Sequence, residues 1–215
     1  MMCRMAWEDG VTVMAATPHV FNGVYEHTLA DIQAQMASLQ ERLAHEEIPI
    51  EIVQGAEVFC RPDLPSLLEE NPELTINGGK RFFLLEFPRS IIPPNIDQLI
   101  VQLVTRNQIP IIVHPERNLY IQANLEFLEE LVRDGALCQI TAMSVTGDFG
   151  PRAAQCAHEL LRRDCVHVIA SDTHGMKARP PILSRAREAV SRQLGAPRAR
   201  ELFEIFPEKI VNGQL

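Results

Sequence analysis

The chain has 215 residues, of which 46% are hydrophobic and 22% charged, a balance typical of a globular protein with a sizeable core. Its formal net charge of −8 argues against a surface built to bind nucleic acid or an anionic membrane. No stretch approaches the ~18 consecutive apolar residues of a membrane span, and the first residues lack the apolar core of a signal peptide.

Short apolar runs rich in β-branched residues recur along the chain and predict strands, with amphipathic helical stretches between several of them. The predicted strands are 11–16, 50–55, 82–87, 109–114, 137–142 and 166–171, and the predicted helices are 28–47, 95–108, 124–135 and 152–164. Continuous apolar strands that alternate with helices indicate a parallel sheet buried on both faces, in a barrel or a doubly wound sheet. No linker interrupts the pattern, so we expect a single domain over residues 1–215.

Acidic residues or histidines lie at or just past the carboxyl ends of five of these six predicted strands. Parallel α/β folds place their sites at the carboxyl ends of the strands. Several carboxylates at one edge repel one another unless a cation lies between them, and imidazoles with carboxylates suit Zn²⁺, Mn²⁺ or Fe²⁺. The sequence therefore predicts a metal site near these residues: His19, Glu57, Glu86, His114, Asp172 and His174.

The cysteines indicate no disulfide framework and no thiol chemistry. The chain has five cysteines, an odd number, and no Cys-x-x-Cys motif. This pattern is typical of reduced thiols in the cytoplasm. Cys156 and Arg162 have the C-x₅-R spacing of thiol-based tyrosine phosphatases, but the stretch between them has no glycine and suits a helix interior. We therefore predict that Cys156 is a small core residue and that Arg162 faces outward.

Six segments of the chain resemble the PHP (polymerase and histidinol phosphatase) superfamily, in the right order. They are most similar to its bacterial branch of metal-dependent tyrosine phosphatases of capsule and exopolysaccharide genes, the CpsB/CapC type. The pairing of HPERN with SDTH, followed by RPP five residues after the histidine, is specific to that branch. The segments are MAATPHV (14–20), QGAEV (54–58), FFLLEFP (82–88), IIVHPERN (111–118), FGPRAAQCAHELL (149–161) and IASDTHGMKARPP (169–181).

This resemblance implies a distorted (β/α)₇ TIM-like barrel with two or three divalent metal ions at its rim, manganese being favoured over iron or zinc. It also implies hydrolysis of phosphotyrosine on a bacterial tyrosine kinase of polysaccharide export, the expected partner. Arg117 and Arg179 would bind the phosphate, for which bidentate arginine hydrogen bonds are suited. The implied metal ligands are His19, Glu57, Glu86, His114, Asp172 and His174.

The first residues depart from the family pattern. Members of this branch start with a strand that ends in His-x-His, and none of the seven histidines here is spaced in that way. Residues 1–10 instead resemble the end of the helix that follows this strand, with Gly10 closing it. We therefore expect a barrel without its first strand, and a natural gene product with roughly 25 to 35 more residues upstream. The short chain should then bind less metal, be less active and self-associate through an apolar face that includes Met5 and Trp7.

Three functions remain open from the sequence. The first is the tyrosine phosphatase described above. The second keeps the metal site but hydrolyses a small phosphate ester such as histidinol phosphate. The third is a truncated and weakly active protein that binds its kinase partner or forms a homo-oligomer.

Overall fold

The computed structural model describes residues 1–20 and 29–215, and in this part of the chain it contains eight parallel strands. Two of them form a small sheet, β1-β3, and six form a larger sheet in the order β2-β4-β5-β6-β7-β8. The strands are β1 (Val13–Ala16), β2 (His19–Val20), β3 (Glu51–Gln54), β4 (Glu57–Phe59), β5 (Phe82–Glu86), β6 (Ile109–Val113), β7 (Leu137–Thr141) and β8 (Val168–Ala170).

Helices follow most of the strands, as the alternating pattern predicts. The α-helices are α1 (Met2–Glu8), α2 (Leu29–His45), α3 (Leu64–Glu70), α4 (Ile96–Thr105), α5 (Leu119–Ala123), α6 (Leu125–Arg133), α7 (Ala142–Val145), α8 (Pro151–Arg162), α9 (Ser184–Leu194), α10 (Ala196–Arg200) and α11 (Phe206–Val211). Short 3₁₀ turns span Pro72–Leu74, Ile76–Gly78 and Pro115–Arg117, and Glu201–Ile205 is a π-helix. None of the described helices is long and apolar enough to cross a membrane.

The small sheet continues into the large one in the same register, and Gly55 N and Glu57 N donate to Ala16 O at 3.1 Å and Pro18 O at 3.0 Å across the junction. Val13 pairs with Glu51 in the small sheet and His19 with Glu57 in the large one, so the same offset between partners holds in both. The regular ladder is interrupted at Pro18, which has no N–H to donate. A Cβ atom at Gly55 would lie 2.8 Å from Ile76 Cδ1 and 3.1 Å from Thr17 Cγ2, so any larger residue would displace these side chains.

The six predicted strands and the four predicted helices are confirmed, apart from residue 28, which lies outside the described residues. Strands β2 and β4 were not predicted, because each has only two or three residues. As a result, His19 and Glu57 lie within short strands, whereas the sequence placed them just beyond longer ones. Glu86 is the last residue of β5.

Both faces of the large sheet are buried, as the apolar strands predict. Alternate residues of one strand enter different clusters: Phe83 and Leu85 pack in the main core, and Phe82 and Leu84 pack in a second one with Ile210 of α11. This period of two is the geometry of a strand covered on both sides. The site residue of β5, Glu86, is accordingly the last residue of its strand, beyond this apolar stretch.

Helix α1 ends as the sequence predicts, and the residue after it ties the N-terminal region to the loop that follows β8. Gly10 has a φ of +97° and its N–H donates to Trp7 O at 2.9 Å. The Asp9 carboxylate accepts hydrogen bonds from Leu183 N at 2.6 Å and Ser184 N at 3.0 Å, at the start of α9. This contact fixes one end of the loop that carries Asp172, which matters for the site.

Candidate metal centre

Four predicted site residues from neighbouring strands form a donor cluster. His19 and Glu57 are the first residues of β2 and β4, Glu86 is the last residue of β5, and His114 directly follows β6. His114 Nε2 lies 2.7 Å from Glu57 Oε1 and 4.0 Å from Glu86 Oε1. His19 Nδ1 lies 3.2 Å from Glu86 Oε2 and 3.8 Å from Glu57 Oε1. These four residues are the donor cluster.

The donor cluster fits a divalent metal ion. One ligand atom from each of His19, Glu57 and Glu86 can be chosen so that all lie within 4.8 Å of one another. The Glu57 side chain is only 7% exposed and that of Glu86 19%, so two carboxylates share a poorly hydrated space. Their repulsion is relieved by a cation, and nitrogen and oxygen donors suit Zn²⁺, Mn²⁺ and Fe²⁺ alike.

The carboxylates also act on the imidazole of His19. Its hydrogen bond with Glu86 is the main cause that raises the pKa of His19, and the charges of Glu57, Glu86 and Asp172 add to it, against the opposing effect of burial. A raised pKa means that the folded protein favours the protonated imidazole. A proton on His19 therefore competes with a metal ion for the same carboxylates.

This competition gives a prediction about pH. In the metal-free protein the protonated His19 stabilises the fold below its ordinary pKa of 6.5, and this contribution is lost as the pH rises through the raised value. Metal binding needs the neutral imidazole, so metal affinity should fall as the pH is lowered from about 8 to about 6. Calorimetric titration in buffers of different ionisation enthalpy should show the released proton. His19→Gln should remove this proton release, and a wild-type affinity that did not change with pH would contradict the prediction.

Asp172 and His174 reach the same region from the loop after β8. Asp172 adds to the raised pKa of His19, and the rings of His174 and His19 have their centroids 6.2 Å apart. Since β2 and β8 are the two edges of the large sheet in the described part of the chain, the loop after one edge strand reaches the other edge strand at the site. His174 Nδ1 lies 3.5 Å from Asp172 Oδ1, and the other oxygen of Asp172 faces two arginines.

The arginine pair, Arg117 and Arg179, binds one carboxylate oxygen. Arg117 Nη1 lies 2.5 Å and Arg179 Nη1 3.3 Å from Asp172 Oδ2. Arg179 returns to the site because Thr173 Oγ1 donates to Arg179 O at 2.8 Å and His174 N to the same oxygen at 3.2 Å. Asp172 thus lies between the predicted phosphate-binding side chains and the donor cluster.

The backbone is strained where two of these residues sit. His114 has a φ of +39° and Asp172 a φ of +47°. Both lie in the left-handed region, which residues other than glycine seldom adopt. His114 N donates to Gln139 O at 2.8 Å, which fixes this conformation against β7. Strain of this kind persists where the surroundings impose it, and it is frequent at functional sites.

Three residues that support the site were not identified from the sequence. Glu116 is fully buried and accepts hydrogen bonds from Thr141 N at 3.1 Å and Ser144 Oγ at 2.6 Å, which anchors the turn that carries Arg117. Asn118 caps α5 and donates to Pro88 O at 2.7 Å. Phe149 contacts both arginines. Glu116 and Asn118 belong to the HPERN segment, which was the only signal for them.

The structure confirms that Cys156 belongs to the core and Arg162 to the surface. Cys156 is 4% exposed inside α8, and burial, with the nearby charges of Glu116 and Glu159, raises the pKa of its thiol to about 12. Such a thiol is not a nucleophile at neutral pH. Arg162 is exposed and pairs with Glu159 at 2.9 Å.

We therefore expect Cys156→Ser to keep its metal content and its turnover. The buried hydroxyl should lower the free energy of unfolding by roughly 1–3 kcal/mol, which denaturant titration can measure. A folded Cys156→Ser protein without activity would contradict a metal-dependent mechanism. Cys165→Ser is the matched control, because this thiol is also buried and its pKa is also raised, to about 11.

Comparison with known proteins gives the family of the chain. The sequence model of CpsB/CapC, described as capsular polysaccharide synthesis, matches residues 1–212. The tyrosine-protein phosphatase YwqE of Bacillus subtilis is 33% identical over 195 residues, which are 91% of this chain and 76% of that protein. The tyrosine-protein phosphatase CpsB of Streptococcus pneumoniae is 29% identical over 215 residues, covering 98% and 88% of the two chains.

A solved structure agrees with these sequence relatives. It belongs to a study of YwqE and CpsB, described as unique metal-dependent tyrosine phosphatases. It superposes with a TM-score of 0.94 at 31% identity and covers 100% of this chain and 86% of the other. The resemblance predicted from the six sequence segments is confirmed, and the chain belongs to the CpsB/CapC family.

Proposed function

We propose that this chain is a metal-dependent protein-tyrosine phosphatase, which hydrolyses phosphotyrosine on a tyrosine kinase of capsule or exopolysaccharide synthesis. The observation that carries the proposal is the position of Asp172, which contacts the arginine pair on one side and lies near His19 of the donor cluster on the other. A phosphomonoester needs cationic hydrogen-bond donors next to a metal-activated nucleophile, and this arrangement offers both. The relatives named above carry the same activity in their names.

The site residues then have separate tasks. Bound metal ions would lower the pKa of a coordinated water and accept phosphate oxygens. Arg117 and Arg179 donate hydrogen bonds to the remaining phosphate oxygens and offset their charge. In a protein of net charge −8, bound metal ions together with these two arginines would form a local cationic site that favours the approach of a phosphorylated segment.

The proposed ligands go beyond the four residues of the donor cluster. Asp172 and His174 complete the set, which supports two or three ions, and we favour manganese over iron or zinc. We also propose that the chain acts as one domain over residues 1–215 with the form of a distorted (β/α)₇ barrel. The approach of the loop after β8 to β2, with 6.2 Å between the rings of His174 and His19, supports that form.

We place the protein in the cytoplasm, where a kinase of polysaccharide export would present its phosphotyrosines. The support is that all five cysteines are free thiols. Reduced cysteines persist in a reducing compartment.

The test is turnover by the metal-loaded chain of a phosphotyrosine peptide, compared with histidinol phosphate and with the matching phosphoserine peptide. We expect the phosphotyrosine peptide to have the highest kcat/KM, and turnover to stop when the metal is chelated. Glu57→Gln is the matched variant, because it keeps the shape of the side chain and removes the charge; it should lose metal and turnover together. Preference for histidinol phosphate, or full activity after chelation, would overturn the proposal.

A further inference from the structure

The aromatic ring of Phe149 lies against both members of the arginine pair. The guanidinium carbon of Arg117 is 5.0 Å from the ring centroid and that of Arg179 is 5.6 Å from it. The same two guanidinium groups contact Asp172 Oδ2. One ring and one carboxylate therefore contact two cations that come from distant parts of the chain.

A tight turn between α7 and α8 presents Phe149 to the arginines. Gly147 and Gly150 have φ values of +86° and +91°, which glycine adopts at little cost, and Gly150 N donates to Gly147 O at 2.9 Å. Phe149 N donates to Met143 O at 3.3 Å, and Pro151 starts α8 directly after the turn. The ring is only partly buried, so its place at the rim is set by the backbone and not by the core.

Two guanidinium groups on one carboxylate oxygen repel each other, and the single charge of Asp172 cannot offset both. The face of an aromatic ring carries negative charge density and attracts a cation within about 6 Å of its centroid. The planar guanidinium group of arginine can also stack on such a face. From this geometry we infer that Phe149 is a positioning residue, which keeps Arg117 and Arg179 side by side so that both donate to one phosphate group. The inference rests on the function proposed above for the two arginines.

An aliphatic side chain of similar size would fill the space without attracting the cations. The two arginines would then have to be ordered at the moment when phosphate binds, and the lost side-chain freedom would weaken binding. Removal of the ring should therefore reduce phosphate affinity without reducing metal content. A residue with a purely structural role would instead lose stability in proportion to its lost volume, whether or not the replacement is aromatic.

The test is calorimetric titration of the metal-loaded protein with inorganic phosphate, which does not depend on turnover. Phe149→Leu should bind phosphate about tenfold more weakly than wild type, and Phe149→Tyr within about twofold of it. Phe206→Leu is the matched control, because Arg198 lies 5.9 Å from the ring of Phe206 and neither residue contacts the arginine pair or Asp172. It should leave phosphate affinity unchanged.

Kinetics with the phosphotyrosine peptide should show the same difference between the variants. Phe149→Leu should have a raised KM and a smaller change in kcat. The inference would be overturned if Phe149→Leu bound phosphate as tightly as wild type, or if Phe149→Tyr lost as much phosphate affinity as Phe149→Leu. It would also be overturned if the wild-type protein bound no phosphate. If Phe149→Leu does not fold, Phe149→Met replaces it in the same comparison. A wild-type protein that binds phosphate but does not hydrolyse phosphotyrosine would overturn the proposed function alone, and the titration would still decide the role of Phe149.

Discussion

His114→Ala should lose its metal and lower the turnover of a phosphotyrosine peptide by more than about a hundredfold, since even the loss of a residue that only supports a ligand costs about 10–100-fold. The imidazole lies 2.7 Å from Glu57 and 4.0 Å from Glu86, so it contacts both carboxylates of the donor cluster. Without this imidazole, the two poorly hydrated carboxylates repel each other and the metal site has one ligand fewer. The check is metal content after dialysis, measured together with turnover.

The backbone at this position complicates the alanine variant and calls for a second one. Because His114 has a φ of +39°, alanine adds backbone strain to the loss of a ligand. Asparagine tolerates the left-handed conformation better and is a poor replacement for an imidazole as a metal ligand. His114→Asn should therefore be as inactive as His114→Ala, although its free energy of unfolding should lie closer to that of wild type.

A histidine outside the donor cluster serves as the control. His158 lies in α8 and its Nδ1 contacts Gln193 Oε1 at 2.7 Å, away from the site. His158→Ala should keep full metal content and turnover. If His114→Asn retained its metal and wild-type turnover, the assignment of His114 to the metal centre would be wrong.

The strands that carry the site could be predicted where their apolar runs are long. The stretch 82–87 is apolar enough to indicate a buried strand, and it places Glu86 at the strand end without any structure. Strands β2 and β4 have only two or three residues, which is too short for a periodic signal, so the positions of His19 and Glu57 within them became visible only in the structure. Their positions at the ends of predicted strands had already grouped these residues as one metal site, and the family resemblance implied the same set of ligands.

The contacts between distant segments could not be predicted from the sequence. Spacing placed Asp172 after a strand but gave no sign that its carboxylate pairs with Arg117, 55 residues earlier, and with Arg179. Phe149 and the buried Glu116 were missed for the same reason, because their partners lie in other elements. Such contacts depend on how the strands order themselves in the sheet, and periodicity carries no information on that order.

Arg117→Ala should keep its metal and bind phosphate more weakly, with a raised KM or a lowered kcat. One charged hydrogen-bond donor to phosphate contributes on the order of 1.5–3 kcal/mol, which corresponds to a loss of roughly 10- to 150-fold in kcat/KM. Metal should remain because Arg117 contacts Asp172 and lies outside the donor cluster, and because Arg179 still pairs with Asp172 at 3.3 Å. Kinetics with the phosphotyrosine peptide and metal content of the same sample test both parts.

One further variant shows whether charge or shape matters at this position, and another serves as a control. Arg117→Lys keeps the charge but cannot donate a planar pair of hydrogen bonds, so it should recover only part of the loss. Arg163→Ala is the matched control, because Arg163 also binds carboxylates, at 2.6 Å from Glu129 and 3.3 Å from Glu126, and should not change the kinetics. If Arg117→Ala lost its metal along with its activity, Arg117 would act by orienting Asp172 as a ligand and not by binding the phosphate.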